Sequence, residues 1–311
     1  MNFTTKIPIA KFSNPIDYTS KILSLGSCFA ENMGEKLSYF KFQNVVNPFG
    51  IIFNPVSIEN LVSRVVNQQK FIEDDIFFHN DLWHCFEVHS ELSHPDAATF
   101  LSTLNNLLES THNQIMESTN IIITYGTSWV YRNNSSATIV ANCHKVPQSQ
   151  FEKEILSVTT IEKFILNTMF LINKVNPNCS FIFTVSPVRH IKDGFVENQR
   201  GKAHLITAIH NQQLPYFPSY EILMDELRDY RFYAHDMLHP SQKALDYIWE
   251  RFFENYISEE CFSIMEEVGN IQKALSHRTF NPESDSHQKF LQNLQRKIEQ
   301  LQCQYPFMNF S

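Results

Sequence analysis

The chain has no lysine- or arginine-rich run, no CxxC pair, no internal repeat and no low-complexity tract. Without a basic stretch there is no footprint for a phosphate backbone, and 25 basic against 33 acidic side chains leave a net charge of −8. Nucleic acid is therefore not an expected partner. The six cysteines, at positions 28, 85, 143, 179, 261 and 303, are scattered singles. That spacing excludes a disulfide framework and reads as reduced thiols in a cytoplasmic setting. No apolar stretch reaches the ~18–20 residues a membrane span needs, so no membrane is expected. The opening segment, MNFTTKIPIAKFSNPIDYTS, has neither a continuous apolar core nor a small-residue cleavage site, unlike a secretory leader.

What remains is a chain of 311 residues, 43% hydrophobic and rich in phenylalanine, with enough apolar material for a sizeable core. Its pattern alternates strand and helix. Lys21–Leu25 and Ser180–Ser186 read as strands. Ile121–Tyr125 is a near-continuous β-branched run of the kind buried on both faces of a sheet. Helical stripes follow at Cys28 onward (Ala30, Met33, Leu37, Phe40), Val56–Gln68, Thr159–Lys174, Lys202–Gln213 and Ser241–Ile257. Thr159 with Glu162 carries a capping-box pattern, and Ser241 after Pro240 can cap the last of these helices. Alternating elements favour parallel βαβ units, hence an α/β fold: a three-layer helix–sheet–helix sandwich around a mostly parallel, doubly wound sheet.

Two segments depart from the pattern. Phe71–Leu92 is aromatic and only partly alternating, which suggests an inserted hairpin within an insertion spanning 71–118. The main domain is expected to run over 1–257. A polar helical extension over 258–311 follows, with NPESDS at 281–286 as a linker. Its last helix carries a stripe of Phe290, Leu291, Leu294, Ile298 and Leu301, a surface for packing or homo-oligomerisation rather than chemistry.

Three places at element ends carry the candidate chemistry. Gly26-Ser27-Cys28 follows a strand and opens a helix, where unpaired N–H groups favour a developing anion. Gly126-Thr127-Ser128 follows the buried run and can supply donors to an oxyanion, although Gly126 can equally serve a turn. In Asp236-Met237-Leu238-His239 a carboxylate three residues before a histidine can hold its Nδ1–H, leaving Nε2 as general base. Ligands of open α/β sheets bind beyond the carboxyl ends of the strands, where these segments would gather. Asn142, His144, Arg189 and His190 lie in polar loops. The two histidines could line a pocket and Arg189 could hold an acidic group, or each could make structural hydrogen bonds. His79, His84, His89 and His94 recur at an interval matching neither one helix face nor one strand face, so no metal is expected there.

The segments GSCFAENMGEKL (26–37), NPFG (47–50), YGTSWVY (125–131), ANCHKVP (141–147), VSPVRHIKDG (185–194), YFPSYEI (216–222), DELRDYRFY (225–233) and DMLHPS (236–241) together resemble the GSCFA family. That family in turn resembles the SGNH, or GDSL-type, hydrolases, and the match runs from about residue 3 to residue 257. The resemblance implies a flavodoxin-like three-layer fold and esterase or acyl-hydrolase chemistry without a cofactor. Asp236 and His239 fit the superfamily's DxxH block. Gly126 and Thr127 fit its GxND block, with Ser128 in place of the asparagine and Trp129 in place of the aspartate. Gly50 stands where a separate glycine would lend its N–H to the oxyanion. Strict register puts Cys28 at the nucleophile position, whereas a shift of one residue selects Ser27. A thiol at a helix N-terminus beside a histidine is expected to be strongly acidic. The leading expectation is hydrolysis of a small-molecule or glycan O-acyl ester. Transfer of the acyl group to a glycan, and a non-catalytic binding or scaffold role, are the alternatives.

Overall fold

A computed structural model of the chain describes residues 4–276 and 284–310. Ten strands lie among the described residues: β1 (Lys21–Gly26), β2 (Gln43–Val46), β3 (Phe77–His79), β4 (Leu82–His84), β5 (Asn120–Tyr125), β6 (Trp129–Asn133), β7 (Ile139–Val140), β8 (Phe151–Ile155), β9 (Ser180–Val185) and β10 (Tyr216–Phe217). Nine helices lie among the described residues: α1 (Cys28–Tyr39), α2 (Pro55–Val66), α3 (Ala97–Glu117), α4 (Val158–Val175), α5 (Phe195–Asn211), the single turn α6 (Ser219–Glu221), α7 (Gln242–Tyr256), α8 (Phe262–Ser276) and α9 (Asp285–Gln304).

The central sheet has the order β10-β9-β5-β1-β2, and every pairing in it is parallel. Side chains alternate along its strands as the pleat requires. Leu23, Leu25, Ile121, Ile123, Phe181 and Phe183 enter one core with α2, α3, α4 and α5. Ile22, Ile122 and Ile182 enter the other with α1, α7, α8 and α9. The α/β class and the mostly parallel sheet are thus as the sequence indicates. The winding direction reverses between β1 and β5, so the crevice beyond their carboxyl ends is where such a sheet places a ligand.

The rest of the chain decorates this frame. β3 and β4 form an antiparallel hairpin inside the 71–118 segment, and α3 completes that segment. Arg64 of α2 clips it down, pairing with Glu87 at 2.6 Å and Asp75 at 3.1 Å and stacking on the Phe71 ring. A second, antiparallel sheet with the order β7-β6-β8 follows β5. It was not apparent in the sequence because its strands are short and half-exposed.

Three local expectations need correction. The cap of α4 is Ser157, whose hydroxyl accepts from the Thr160 N–H at 3.1 Å, and Thr159 lies inside the first turn. Leu156, tied to the Ser128 carbonyl, brings the chain into the helix that early. Helix α5 begins at Phe195, seven residues before Lys202, because packing carries it through Gly201. Of the expected α9 stripe, Leu294, Ile298 and Leu301 are buried, whereas Phe290 and Leu291 are 42% and 41% exposed. Residues 281–283 of the expected linker lie outside the described residues, and Ser284 caps α9. Among the described residues, no helix is long and apolar enough to cross a membrane.

Candidate functional site

Each of the three segments is fixed by backbone contacts between distant parts of the chain. Strand β1 ends at Gly26, with φ at +143°. A Cβ there would sit 2.1 Å from the Thr124 carbonyl oxygen, so only glycine lets β1 finish against β5. Ser27 follows as the cap of α1. It donates its N–H to Thr124 O at 3.1 Å, accepts from the Phe29 N–H at 3.3 Å, and is only 2% exposed. Its hydroxyl is committed to starting the helix. Cys28, the next residue, keeps a partly exposed thiol.

The expected acidity of that thiol is not found. Burial pushes it up and Glu31 adds to the rise, while backbone N–H groups of Cys28 and Phe29 and the Lys202 side chain pull it down less strongly. Desolvating a thiolate outweighs the helix terminus here.

The turn at 47–50 leans on the same strand end. Asn47 Oδ1 accepts from the Gly26 N–H at 2.8 Å. Gly50 donates its N–H to Asn47 O at 2.7 Å, which takes it away from any oxyanion. Its φ of +75° and a gap of 2.3 Å between its would-be Cβ and His89 explain the glycine as one of close approach. Gly126 is similar: its N–H goes to Phe53 O at 2.8 Å, which leaves no donor for an oxyanion. Thr127 Oγ1 accepts from the Trp129 N–H at 3.2 Å, and Ser128 is fully buried with an unpartnered hydroxyl.

The third segment brings a carboxylate and an imidazole together. His239 Nδ1 lies 2.6 Å from Asp236 Oδ2, and Asp236 Oδ1 accepts from the N–H groups of Leu238 and His239 at 2.9 and 3.0 Å. These backbone bonds, with the imidazole, hold the Asp236 carboxyl down at about 2. Both side chains are near half exposed. Neither Ser27 nor Cys28 is hydrogen-bonded to His239 among the described residues.

Arg189 binds this loop rather than standing free in it. Its N–H reaches Leu238 O at 3.0 Å and its Nη1 reaches Met237 O at 3.1 Å. The guanidinium is surrounded by the rings of Phe195, Tyr230 and Tyr233. His190, next along, donates its N–H to Asn198 and packs its ring 5.3 Å from Phe53. Burial, reinforced by Lys202 and His239, lowers its imidazole to about 3, so the ring is neutral. Asn142 and His144 do not join the group. Asn142 Oδ1 accepts from the His144 N–H, and His144 Nε2 meets Cys85 O at 2.7 Å. The His144 ring packs against His84, Phe77 and Phe86 as part of the hairpin's support.

Lys202 is the residue that sequence reasoning missed. It is 1% exposed, and its ammonium bonds Gly126 O and Ser186 O, both at 2.6 Å. It thereby ties together the chain just beyond β5 and β9. Its charge and that of Cys28 act on each other, and Lys202 and His239 both act on His190. One signal was available: Asn198, Gly201, Lys202, Leu205, Ala208 and Ile209 fall on one helical stripe, which puts a lysine on an apolar face. Among the described residues, no group of three or more His, Cys, Asp or Glu side chains is placed to hold a metal.

Fold and site together define an α/β protein whose candidate nucleophile and acid–base pair stand at the carboxyl side of a parallel sheet. The chain belongs to the GSCFA family: the model described as "GSCFA family" matches residues 21–252, and that described as "GSCFA domain protein, C-terminal domain" matches residues 268–311. No curated protein matches it. A solved crystal structure aligns over 76% of this chain and 95% of its own at 11% identity and a TM-score of 0.37, a likeness too slight to carry an argument.

Proposed function

We propose that the protein is an ester hydrolase of the SGNH or GDSL type, with a flavodoxin-like sheet, that cleaves an O-acyl ester through an acyl-enzyme on Cys28. The carrying observation is the 2.6 Å contact between Asp236 and His239, which fixes the imidazole with Nδ1 inward and leaves Nε2 to move protons. The strand order supports the fold reading, since numbering the five central strands in sequence gives 2-1-3-4-5. Cys28 is preferred to Ser27 because the Ser27 hydroxyl is buried as a helix cap. With the Gly50 and Gly126 N–H groups bonded to Asn47 O and Phe53 O, this reading assigns the oxyanion to the N–H groups at the start of α1.

Incubation with short-chain p-nitrophenyl esters, followed by peptide mass spectrometry, tests the reading. It requires an acyl adduct on Cys28 and a loss of turnover in His239→Ala on the order of 10²–10⁴-fold. Absence of both adduct and turnover would refute it. A non-catalytic binding role is the second reading, favoured by the two glycine N–H groups being occupied. Under that reading Cys28→Ala changes no measurable activity.

A further inference from the structure

A cavity of about 170 Å³ lies against Arg189, the residue bonded to the loop of Asp236 and His239. Its apolar lining is Leu223, Met224, Tyr230 and Tyr233, and its charged lining is Arg189, Arg228 and Asp229. The backbone that shapes it is irregular. Residues Ile222–Leu227 form a π-helical turn, closed by the Arg228 N–H on the Leu223 carbonyl at 3.1 Å. Such turns are rare and recur at functional sites. Arg228 ends this one with φ at +47°, a left-handed conformation that costs a side chain of its kind sterically.

The charges around the cavity leave one cation unmatched. Asp229 accepts from the Arg231 N–H at 2.8 Å, and its Oδ2 lies 3.0 Å from Arg231 Nη2. Arg228 Nη1 lies 3.4 Å from Asp225 Oδ1, a pairing between exposed side chains that water screens. Arg189 is different. Of the five N–H donors of a guanidinium, it commits one, to Met237 O, and among the described residues no carboxylate pairs with it. Three rings hold it in place, with centroids 5.3 to 5.9 Å from its guanidinium carbon. Two of them, Phe195 and Tyr230, are 63% and 66% exposed, so large apolar faces stand uncovered beside the free donors.

The lining selects among ligands. An inorganic anion would leave Leu223, Met224 and the two tyrosine rings without a partner. A neutral ring would leave the guanidinium donors unmatched, and a dianion would meet Asp229. A carboxylate fits an arginine fork through two parallel N–H···O bonds. An apolar cavity of about 150 Å³ accepts benzene, so the space here suits a single six-membered ring.

We propose that this cavity binds a small aromatic monocarboxylate, its ring against Leu223, Met224, Tyr230 and Tyr233 and its carboxylate on the Nε–Nη2 edge of Arg189. The assignment goes beyond the hydrolase reading and does not need it. It puts the ligand on the residue that holds the Asp236–His239 loop through Met237 O and Leu238 O.

Isothermal titration of the full chain with benzoate, benzamide and acetate at low ionic strength tests this. Benzoate should bind saturably with a Kd below about 10 mM, and benzamide and acetate roughly tenfold or more weaker. Met224→Trp, which fills the cavity and spares both arginines, should abolish benzoate binding. Tyr230→Ala removes a mostly exposed ring and should weaken it roughly threefold or more. Absence of saturable benzoate binding overturns the proposal. Equal affinity for benzamide would remove the charge recognition, and equal affinity for acetate would remove the ring; either overturns it as well. So does unchanged benzoate affinity in Met224→Trp protein with a wild-type circular dichroism spectrum. The three-ligand comparison uses the wild type, so it stands whether or not a variant folds. Ester turnover is no part of the readout, which keeps failure here distinct from failure of the hydrolase assignment.

Discussion

The guanidinium of Arg189 donates to the carbonyl of Met237 at 3.1 Å, so a residue from the segment after β9 holds the loop that carries Asp236 and His239. The aromatic rings around Arg189 fix its fork, and the Leu238 carbonyl accepts from its backbone N–H. Arg189→Ala should therefore loosen this loop more than it weakens the fold. Turnover is expected to drop on the order of 10–100-fold, with faster hydrogen exchange at the Ala234 and Met237 amides and little change in Tm. Lys at this position should not restore it, because a point charge lacks the planar fork. Wild-type turnover in Arg189→Ala would contradict this role.

Substitution of Ser27 and of Cys28 should separate scaffold from chemistry. Ser27→Ala removes the cap of α1 and should lower stability by about 1 kcal/mol, measured by urea unfolding, while an acyl adduct still forms. Cys28→Ala should abolish the adduct with a smaller stability change. The reverse outcome would assign the nucleophile to Ser27.

Gly26→Ala should be among the most damaging single changes in the sheet. The added methyl would meet the Thr124 carbonyl in a backbone conformation that alanine rarely adopts. A loss of roughly 2 kcal/mol or more is expected, seen as a lower urea midpoint at unchanged slope.

Stability should climb with alkaline pH because of Lys202. Its folded value of about 7 lies below the ordinary lysine value near 10, so the unfolded chain holds more protons between the two. The penalty for burying the ammonium is fully present below about pH 7 and is relieved as pH rises toward 10. His144 gives the same sign at acid pH. Burial brings it down to about 4, so the stability of its neutral ring is kept above the unfolded value near 6.5 and lost as pH falls toward 4. Thermal melts across these ranges check both windows, and Lys202→Met should flatten the alkaline one alone.

Much of the frame was legible in the sequence because it follows from local periodicity. Asn120–Tyr125 is buried residue by residue, and the β-branched run within it says so directly. The Asp236–His239 contact was equally accessible, since both partners and the Ser241 cap lie within one turn of chain. The occupied donors were not. Whether the N–H of Gly126 is free depends on Phe53, and whether that of Gly50 is free depends on how the 47–50 turn closes. Lys202 was hidden for a different reason: a charged side chain on an apolar stripe is ordinarily solvated at the helix edge, and only the approach permitted by Gly201 buries it. The antiparallel sheet of β6, β7 and β8 owes its form to the Asn133 turn and to contacts with Pro147–Gln150, neither of which leaves a strong alternation.

The stitching of the rim has a consequence for biosynthesis. Its members come from positions near 27, 126, 186, 202 and 237, and no two neighbouring members in that series are adjacent in the chain. A nascent polypeptide still missing its last quarter contains Cys28 and Lys202 but not His239. Long-range closures of this kind come late in folding. Under the hydrolase reading, partial translation products that end before the loop ahead of α7 should turn over no ester.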